Sequence, residues 1–203
     1  MVAHTVFNRS KPRTLLLLHG LFANSGYWLP YLSSLKDFRL LILDLDYAAI
    51  GALPPYVAQV AALAAAQPGG RVEAVISHSL GCLVASHLPP ALLGASFEVC
   101  PVYCATRLQP QRFAAEMAGR LKSSLSGAAI AAQLEQADQA IAAHALPLPG
   151  PLHSAIYVPE HDPYFDYHAG PDCRRFNGDH FDIAQAVAQI GASLRQAGAT
   201  ASA

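Results

Sequence analysis

The sequence predicts an α/β fold: a mainly parallel, twisted sheet with helices on both faces and a small helical lid. Three observations predict it. The near-continuous apolar runs "TLLLLHG", "RLLILDL", "VEAVIS", "FEVCPVY" and "HSAIYV" have the character of strands buried on both faces. Helix-period stretches at 28–35, 55–66 and 80–88 fill the first three gaps, and such alternation implies right-handed crossovers between parallel strands. A chain of 203 residues, 53% hydrophobic and 13% charged, is long enough to bury a sizeable core as one domain over 1–203.

Each element follows in order. "HTVF" leaves room for one strand before Thr14. Pro54 and Pro55 suit a helix start and "QPGG" a helix stop, which punctuates the second crossover. In "VEAVISHSLGCLVASHL" the apolar period changes from strand to helix between Ser77 and Gly81. The region 107–152 exceeds one crossover helix and reads as two or three Ala-rich helices broken near Gly127 and ended at "LPLPGP". An insertion after a strand's carboxyl end lies above the ligand crevice of an α/β sheet, so this segment is a cap; longer scaffold helices are the alternative. Within it Phe113, Met117 and Leu121 form a stripe on one helical face.

Composition excludes several function classes. A formal net charge of -1 without a long Lys/Arg run lacks the footprint of a nucleic-acid binder. The early apolar run 15–18 is too short for a membrane span and carries no cleavage site, so a soluble, cytoplasmic protein is expected. Cys82, Cys100, Cys104 and Cys173 lack C-x-x-C spacing and read as buried free thiols; no metal and no organic cofactor is expected.

Ser79 stands where strand becomes helix. A hydroxyl there projects off the sheet while the helix aims unbonded N–H groups at the same point, so Ser79 is a candidate nucleophile; an ordinary helix N-cap is the competing reading. Its neighbours Ser77 and Gly81 are small, as a strained turn requires. Further along lie the turn "HGLFANSGYW" after the first strong strand, "AIYVPEHDPYF" with Asp162, and "FNGDHFDIAQAVAQIGASL", where His180 precedes a long amphipathic helix.

In this chain order the features resemble the α/β-hydrolase fold family across nearly the whole length, "SHSLG" being similar to that family's nucleophile elbow. The resemblance implies Ser79 as nucleophile, His180 as base and Asp162 as the carboxylate that orients it, with the backbone N–H groups of Leu21 and Leu80 as oxyanion donors. It also places Phe22 in the pocket lining; Trp28 and Phe181 suggest an apolar pocket with it, Met117 of the stripe is a candidate for its roof, and His78 beside the nucleophile either touches substrate or is structural. Asp44 and Asp166 remain alternative acids, and His19 is expected to brace the oxyanion loop. The chain departs from the family pattern at Ser77, which replaces the first elbow glycine, and at Pro159 before the acid. From Asp162 to His180 is only 18 positions (180 minus 162), so the last crossover helix, before a strand near "CRRFN", must be very short.

The expected function is hydrolysis of an ester or thioester of a small or acyl-chain substrate through an acyl-enzyme. Arg107, Arg112, Arg120 and Lys122 could meet an acidic carrier such as an acyl carrier protein or coenzyme A, against the plainer reading of a solvated helix face. The alternatives are a lyase or acyltransferase on the same scaffold, or a small-molecule-binding pseudo-hydrolase. Serine rather than aspartate at position 79 argues against dehalogenase chemistry.

Overall fold

Residues 2–120, 126–144, 153–168, 170 and 173–200 are described by a computed structural model of the chain. In chain order the strands are β1 (Ala3–Phe7), β2 (Thr14–Leu18), β3 (Arg39–Asp44), β4 (Ala74–His78), β5 (Ser96–Val99), β6 (Ala105–Arg107), β7 (His153–Pro159), β8 (Phe165–Tyr167) and β9 (Arg174–Phe176). The α-helices are α1 (Leu53–Ala65), α2 (Gly81–Ser86), α3 (Pro110–Arg120), α4 (Gly127–His144) and α5 (Ala184–Thr200). Seven strands form one sheet in the order β1-β3-β2-β4-β5-β7-β9, while β6 and β8 make a separate antiparallel ribbon. All neighbours in the sheet run parallel except β1, which pairs antiparallel with β3 at the edge.

The central strands β2, β3 and β4 are buried on both sides because apolar residues fill both of their faces. Leu15, Leu17, Leu40, Ile42, Ala74 and Ile76 face one layer, made of α5 and the 3₁₀ segment Ser25–Leu35. Leu16, Leu18, Leu41, Leu43 and Val75 face the other, made of α1, α2 and part of α4. This alternation is the period-two geometry of a strand. Each fully buried leucine of β2 contributes ~1.5–3 kcal/mol of burial free energy.

The strand order reverses beside β2. The chain passes from β2 to β3 on one side and returns to β4 on the other, leaving a crevice at the carboxyl ends of β2 and β4, where open α/β sheets bind ligands. The turns after these two strands carry Gly20–Leu21 and Ser79, so topology alone brings them together.

The α/β class is the one expected, and several elements differ in detail. The segment expected as a helix at 28–35 is a 3₁₀ helix beginning at Ser25; Asn24 caps it by accepting from Gly26 N–H, and Pro30 lies inside it. The very short helix expected between Asp162 and the last strand is replaced by β8, among the described residues. The stretch is too short for a helix, and β8 instead finds its ladder on β6. The insertion holds two described helices, α3 and α4; Leu121 and Lys122 lie outside the described residues, as does the "LPLPGP" stop. Of the expected basic cluster, Arg107 is paired with Asp138 at 2.9 Å and Arg112 lies over the Tyr164 ring, while the Arg120 side chain is not described. Among the described residues no helix is long and apolar enough to cross a membrane.

Candidate active site

Ser79 occupies the turn between β4 and α2 with φ 55°, a left-handed conformation that costs a residue with a Cβ ~1–2 kcal/mol. The surroundings hold it there. Its N–H donates to Val99 O at 3.0 Å and its carbonyl accepts from Cys82 N–H at 3.1 Å. Gly81 has to be glycine because a Cβ would lie 2.6 Å from His19 O, so α2 can begin directly against the end of β2. Gly20 has to be glycine because a Cβ would lie 2.6 Å from Ser79 Cβ, so the two turns close on each other. Phe22 (φ 63°) and Cys100 (φ 54°) are likewise left-handed, and both stand at carboxyl ends of strands around the same crevice. Three of the four left-handed non-glycine residues among the described residues thus gather at the crevice, the fourth being Asn8 after β1.

His180 lies in the loop between β9 and α5 and is buried, with Nε2 3.0 Å from Ser79 Oγ. Phe165 stacks on its ring at 4.4 Å, and Phe113 and Phe181 approach edge-on. His78 Nε2–H donates to the His180 carbonyl at 2.8 Å, which ties the histidine loop to the elbow. Asp179 shapes this loop by accepting from the N–H groups of Phe181 and Asp182.

Asp162 is the carboxylate brought toward His180. Its Oδ2 lies 4.0 Å from His180 Nδ1, beyond hydrogen-bond distance, and both side chains are buried. Tyr167 touches both from the side: its hydroxyl donates to Asp162 Oδ2 at 3.2 Å and lies 2.8 Å from His180 Nδ1. Asp162 Oδ1 accepts from the N–H groups of Tyr164 and Phe165. The two alternative acids lie elsewhere. Asp44 sits beside His19 at 3.6 Å and accepts from Ser25 N–H, and Asp166 is an exposed residue of β8.

The Gly20–Leu21 turn is braced from below by His19. Leu45 N–H donates to its Nε2 at 3.0 Å, so the ring proton sits on Nδ1 and is given to Gly20 O at 2.8 Å. The Tyr47 hydroxyl donates to the His19 carbonyl at 2.6 Å. Among the described residues no protein acceptor takes the N–H of Leu21 or of Leu80. Both residues line a cavity of about 460 Å³ that also includes Ser79 and His180.

Four of the five residues expected in the pocket, Phe22, His78, Met117 and Phe181, line this cavity. Trp28 is a correction: it is fully buried in the layer between the sheet and α5, because position 28 of the 3₁₀ segment points inward. The adjacent Tyr27 lines the cavity instead and stacks on His78 at 4.8 Å. Leu134, Ala137 and Ile141 from α4 were not anticipated, since Ala-rich periodicity does not say which face meets a ligand. Tyr167 was missed as well, although alternation through "YFDY" puts it on the side of Phe165 in a strand.

Burial dominates the electrostatics. It holds the pKa of His180 well below its ordinary value, with His78 and Arg107 adding to the effect. It lowers His78 to about 4, and it lowers His19. An imidazole kept neutral with Nε2 facing a serine hydroxyl is poised to accept a proton. These histidines also tie stability to pH. Unfolded, each takes up a proton near pH 6.5; folded, each resists it, so their stabilisation is present above pH 6.5 and lost as pH falls toward their folded values. Asp162, raised to about 6 chiefly by burial, acts in the opposite sense, but it is one group against three. The urea midpoint is therefore expected to be lower at pH 5 than at pH 7.5, and a midpoint that does not move would contradict the neutral buried state of these rings.

His78, Cys100 and His180 form a group, among the described residues, whose ligating atoms lie within 4.8 Å of one another. They suit a metal poorly. Both His180 nitrogens already have partners, His78 Nε2 is bound to a carbonyl, and burial keeps the Cys100 thiol protonated.

No curated protein sequence matches the chain significantly. Among solved structures it is similar to an esterase from Rhodococcus sp. ECU1013, with 18% identity and a TM-score of 0.64 over 96% of this chain and 93% of that one. It is similar to a monoacylglycerol lipase from Paleococcus ferrophilus, with 15% identity and a TM-score of 0.62 over 96% and 98% of the two chains. A third is a thioesterase domain from the curacin biosynthetic pathway, with 12% identity and a TM-score of 0.59 over 95% and 94%. At these identities the likeness is one of fold. The sequence profile of the alpha/beta hydrolase family matches residues 15–201, nearly the whole chain, and the chain belongs to that family.

Proposed function

We propose that the protein is a serine hydrolase that cleaves an ester or thioester of a small or acyl-chain substrate through an acyl-enzyme. The observation that carries this reading is Ser79 Oγ at 3.0 Å from His180 Nε2, on a strained elbow beside two unengaged backbone N–H groups. Ser79 Oγ attacks the carbonyl carbon while its proton passes to His180 Nε2. The oxyanion forms against the N–H groups of Leu21 and Leu80, each such donor being worth ~3–4 kcal/mol in the transition state. Collapse expels the alcohol or thiol, which takes the proton from His180. Water then gives a proton to the same nitrogen and attacks the acyl-enzyme, releasing the carboxylic acid as the proton returns to Ser79 Oγ.

The cavity walls support an apolar acyl group. Phe113 and Met117 of α3 and Leu134, Ala137 and Ile141 of α4 give the cavity an apolar lining, to which Asn24, Tyr27 and Tyr31 add polar groups. Phe113 and Met117 pack with Ile130, Leu134, Tyr164 and Phe165 into a cluster separate from the two layers of the sheet, as a lid over the crevice requires. Covalent labelling by a fluorophosphonate tests the nucleophile, since only an activated hydroxyl reacts. A protein that binds ligand yet leaves Ser79 unlabelled would be a sensor on a hydrolase scaffold. A graded series of acyl esters and thioesters then identifies the substrate class.

Met117→Trp tests the lid. The larger ring is expected to shorten the preferred acyl chain and to leave turnover of the smallest ester nearly intact, because Met117 lines the cavity with Ser79. Overpacking costs ~1–3 kcal/mol whatever the role of the site. A lowered melting temperature with an unchanged chain-length profile would make α3 scaffold.

A further inference from the structure

We propose that Tyr167 is a positioning residue that connects Asp162 to His180, so that the carboxylate orients the base through a phenol hydroxyl and not by direct contact. The inference rests on the reading of Ser79 and His180 given above. Three distances carry it. Tyr167 Oη lies 2.8 Å from His180 Nδ1 and 3.2 Å from Asp162 Oδ2, whereas Asp162 Oδ2 and His180 Nδ1 are 4.0 Å apart. The first two are hydrogen-bond distances and the third is not.

The donors and acceptors fit one arrangement. A carboxylate only accepts, so the single phenol proton points to Asp162 and the oxygen lone pairs are left for a donor. Two neighbours reach the oxygen there, the Cys100 thiol, which burial keeps protonated, and His180 Nδ1 at 2.8 Å; with the phenol proton on Asp162, Nδ1 carries the ring proton. Nε2 is left with its lone pair facing Ser79 Oγ, which is the tautomer that removes a proton from serine. Tyr167 stays a donor because burial raises its pKa well above the ordinary value.

The carboxylate is held back from the ring by its own loop. Asp162 Oδ1 accepts from Tyr164 and Phe165, the residues that lead into β8, and Tyr167 ends that strand. Acid and phenol thus belong to one six-residue segment whose geometry is set by backbone bonds. The strand is fixed in turn by its ladder with β6, where Ala105 faces Tyr167 and Arg107 faces Phe165.

His180 faces several titratable or charged groups, and they define what the test must separate. Asp179 precedes it on its own loop, His78 approaches from β4 and Cys100 from the end of β5, Arg107 acts from β6, and Tyr167 and Asp162 come from the β8 segment. Only the last pair meets Nδ1 through a hydroxyl. Replacement of Tyr167 by Phe keeps the ring and removes the connection.

The experiment reads the His180 imidazole by proton–nitrogen NMR and turnover by ester hydrolysis, in wild type, Tyr167→Phe, Asp162→Asn and the double variant. In Tyr167→Phe the Nδ1–H resonance is expected to move upfield and the imidazole to titrate at lower pH, because the charged ring has lost its acceptor. Turnover is expected to fall at least ~10-fold with KM unchanged, less than the ~10⁴-fold that a triad carboxylate can be worth. The double variant should be little worse than the poorer single variant, as for residues that act as a unit. Fluorotyrosine at position 167 keeps the packing and makes the oxygen a poorer acceptor, so it should shift the same resonance in the same direction by less. An unmoved resonance, or an imidazole that titrates at higher pH in Tyr167→Phe, would mean that Asp162 meets the ring directly, and the connection would be wrong. The NMR readout needs no turnover. Failure of Ser79 to label would overturn the hydrolase reading and leave this test standing.

Discussion

Ser79→Ala is expected to fold and to lose turnover by ~10⁶-fold, the scale on which removal of a serine nucleophile acts in a well-studied protease. The substitution deletes one oxygen whose side-chain partner is His180 Nε2, at 3.0 Å. Loss of that bond costs stability on the order of 1 kcal/mol. The backbone strain at φ 55° is untouched, since alanine keeps the Cβ. Ser79→Gly separates strain from chemistry. It should be equally inactive yet more stable than the alanine variant, by up to ~1–2 kcal/mol in denaturant titration, because glycine adopts a positive φ without penalty. Residual hydrolysis near the wild-type level in either variant would remove Ser79 from the reaction. Equal stability of the two would mean that the elbow stores no strain.

The fold could be read from the sequence wherever one local signal decided it. The β2 leucines, the βαβ alternation and the period change at Ser77–Gly81 each point to a buried parallel sheet, and each is borne out in the strand order and in the α2 start. Ser79 was marked by the small residues around the elbow, and Asp162 and His180 by a chain order that resembles the family's; the structure brings the three side chains near one another. What could not be read depended on facing. Trp28 and Tyr27 are neighbours in a 3₁₀ segment, where adjacent side chains point about 120° apart, so one enters the core and the other the cavity. Tyr167 depended on a pairing between β6 and β8 that joins residues about sixty positions apart, and no local pattern announces it. The α4 wall has the same cause, since an Ala-rich helix is apolar around most of its circumference.

Asp162→Asn is expected to lower turnover by up to ~10⁴-fold while raising stability at neutral pH. The loss follows from hydrogen-bond polarity. Asparagine can keep one oxygen for the N–H groups of Tyr164 and Phe165, but it then presents an NH₂ to the Tyr167 hydroxyl. The phenol becomes the acceptor of that bond and gives its own proton to His180 Nδ1, which drives the ring proton to Nε2. The imidazole then faces Ser79 as a donor and cannot take its proton. The gain in stability follows from burial, which raises the Asp162 pKa from 3.8 to about 6. A carboxyl with a raised folded pKa contributes most below its unfolded value and loses that contribution as pH rises through about 6, so at pH 8 the ionised group is a burden that asparagine removes. The melting temperature of the variant should therefore exceed that of wild type by more at pH 8 than at pH 5. Asp44→Asn and Asp166→Asn, which alter carboxylates away from His180, should leave turnover close to wild type. If either of them abolishes hydrolysis while Asp162→Asn does not, the acid is misassigned. If Asp162→Asn is inactive but gains no stability at pH 8, its carboxylate is solvated well enough in the folded protein to carry its charge without cost.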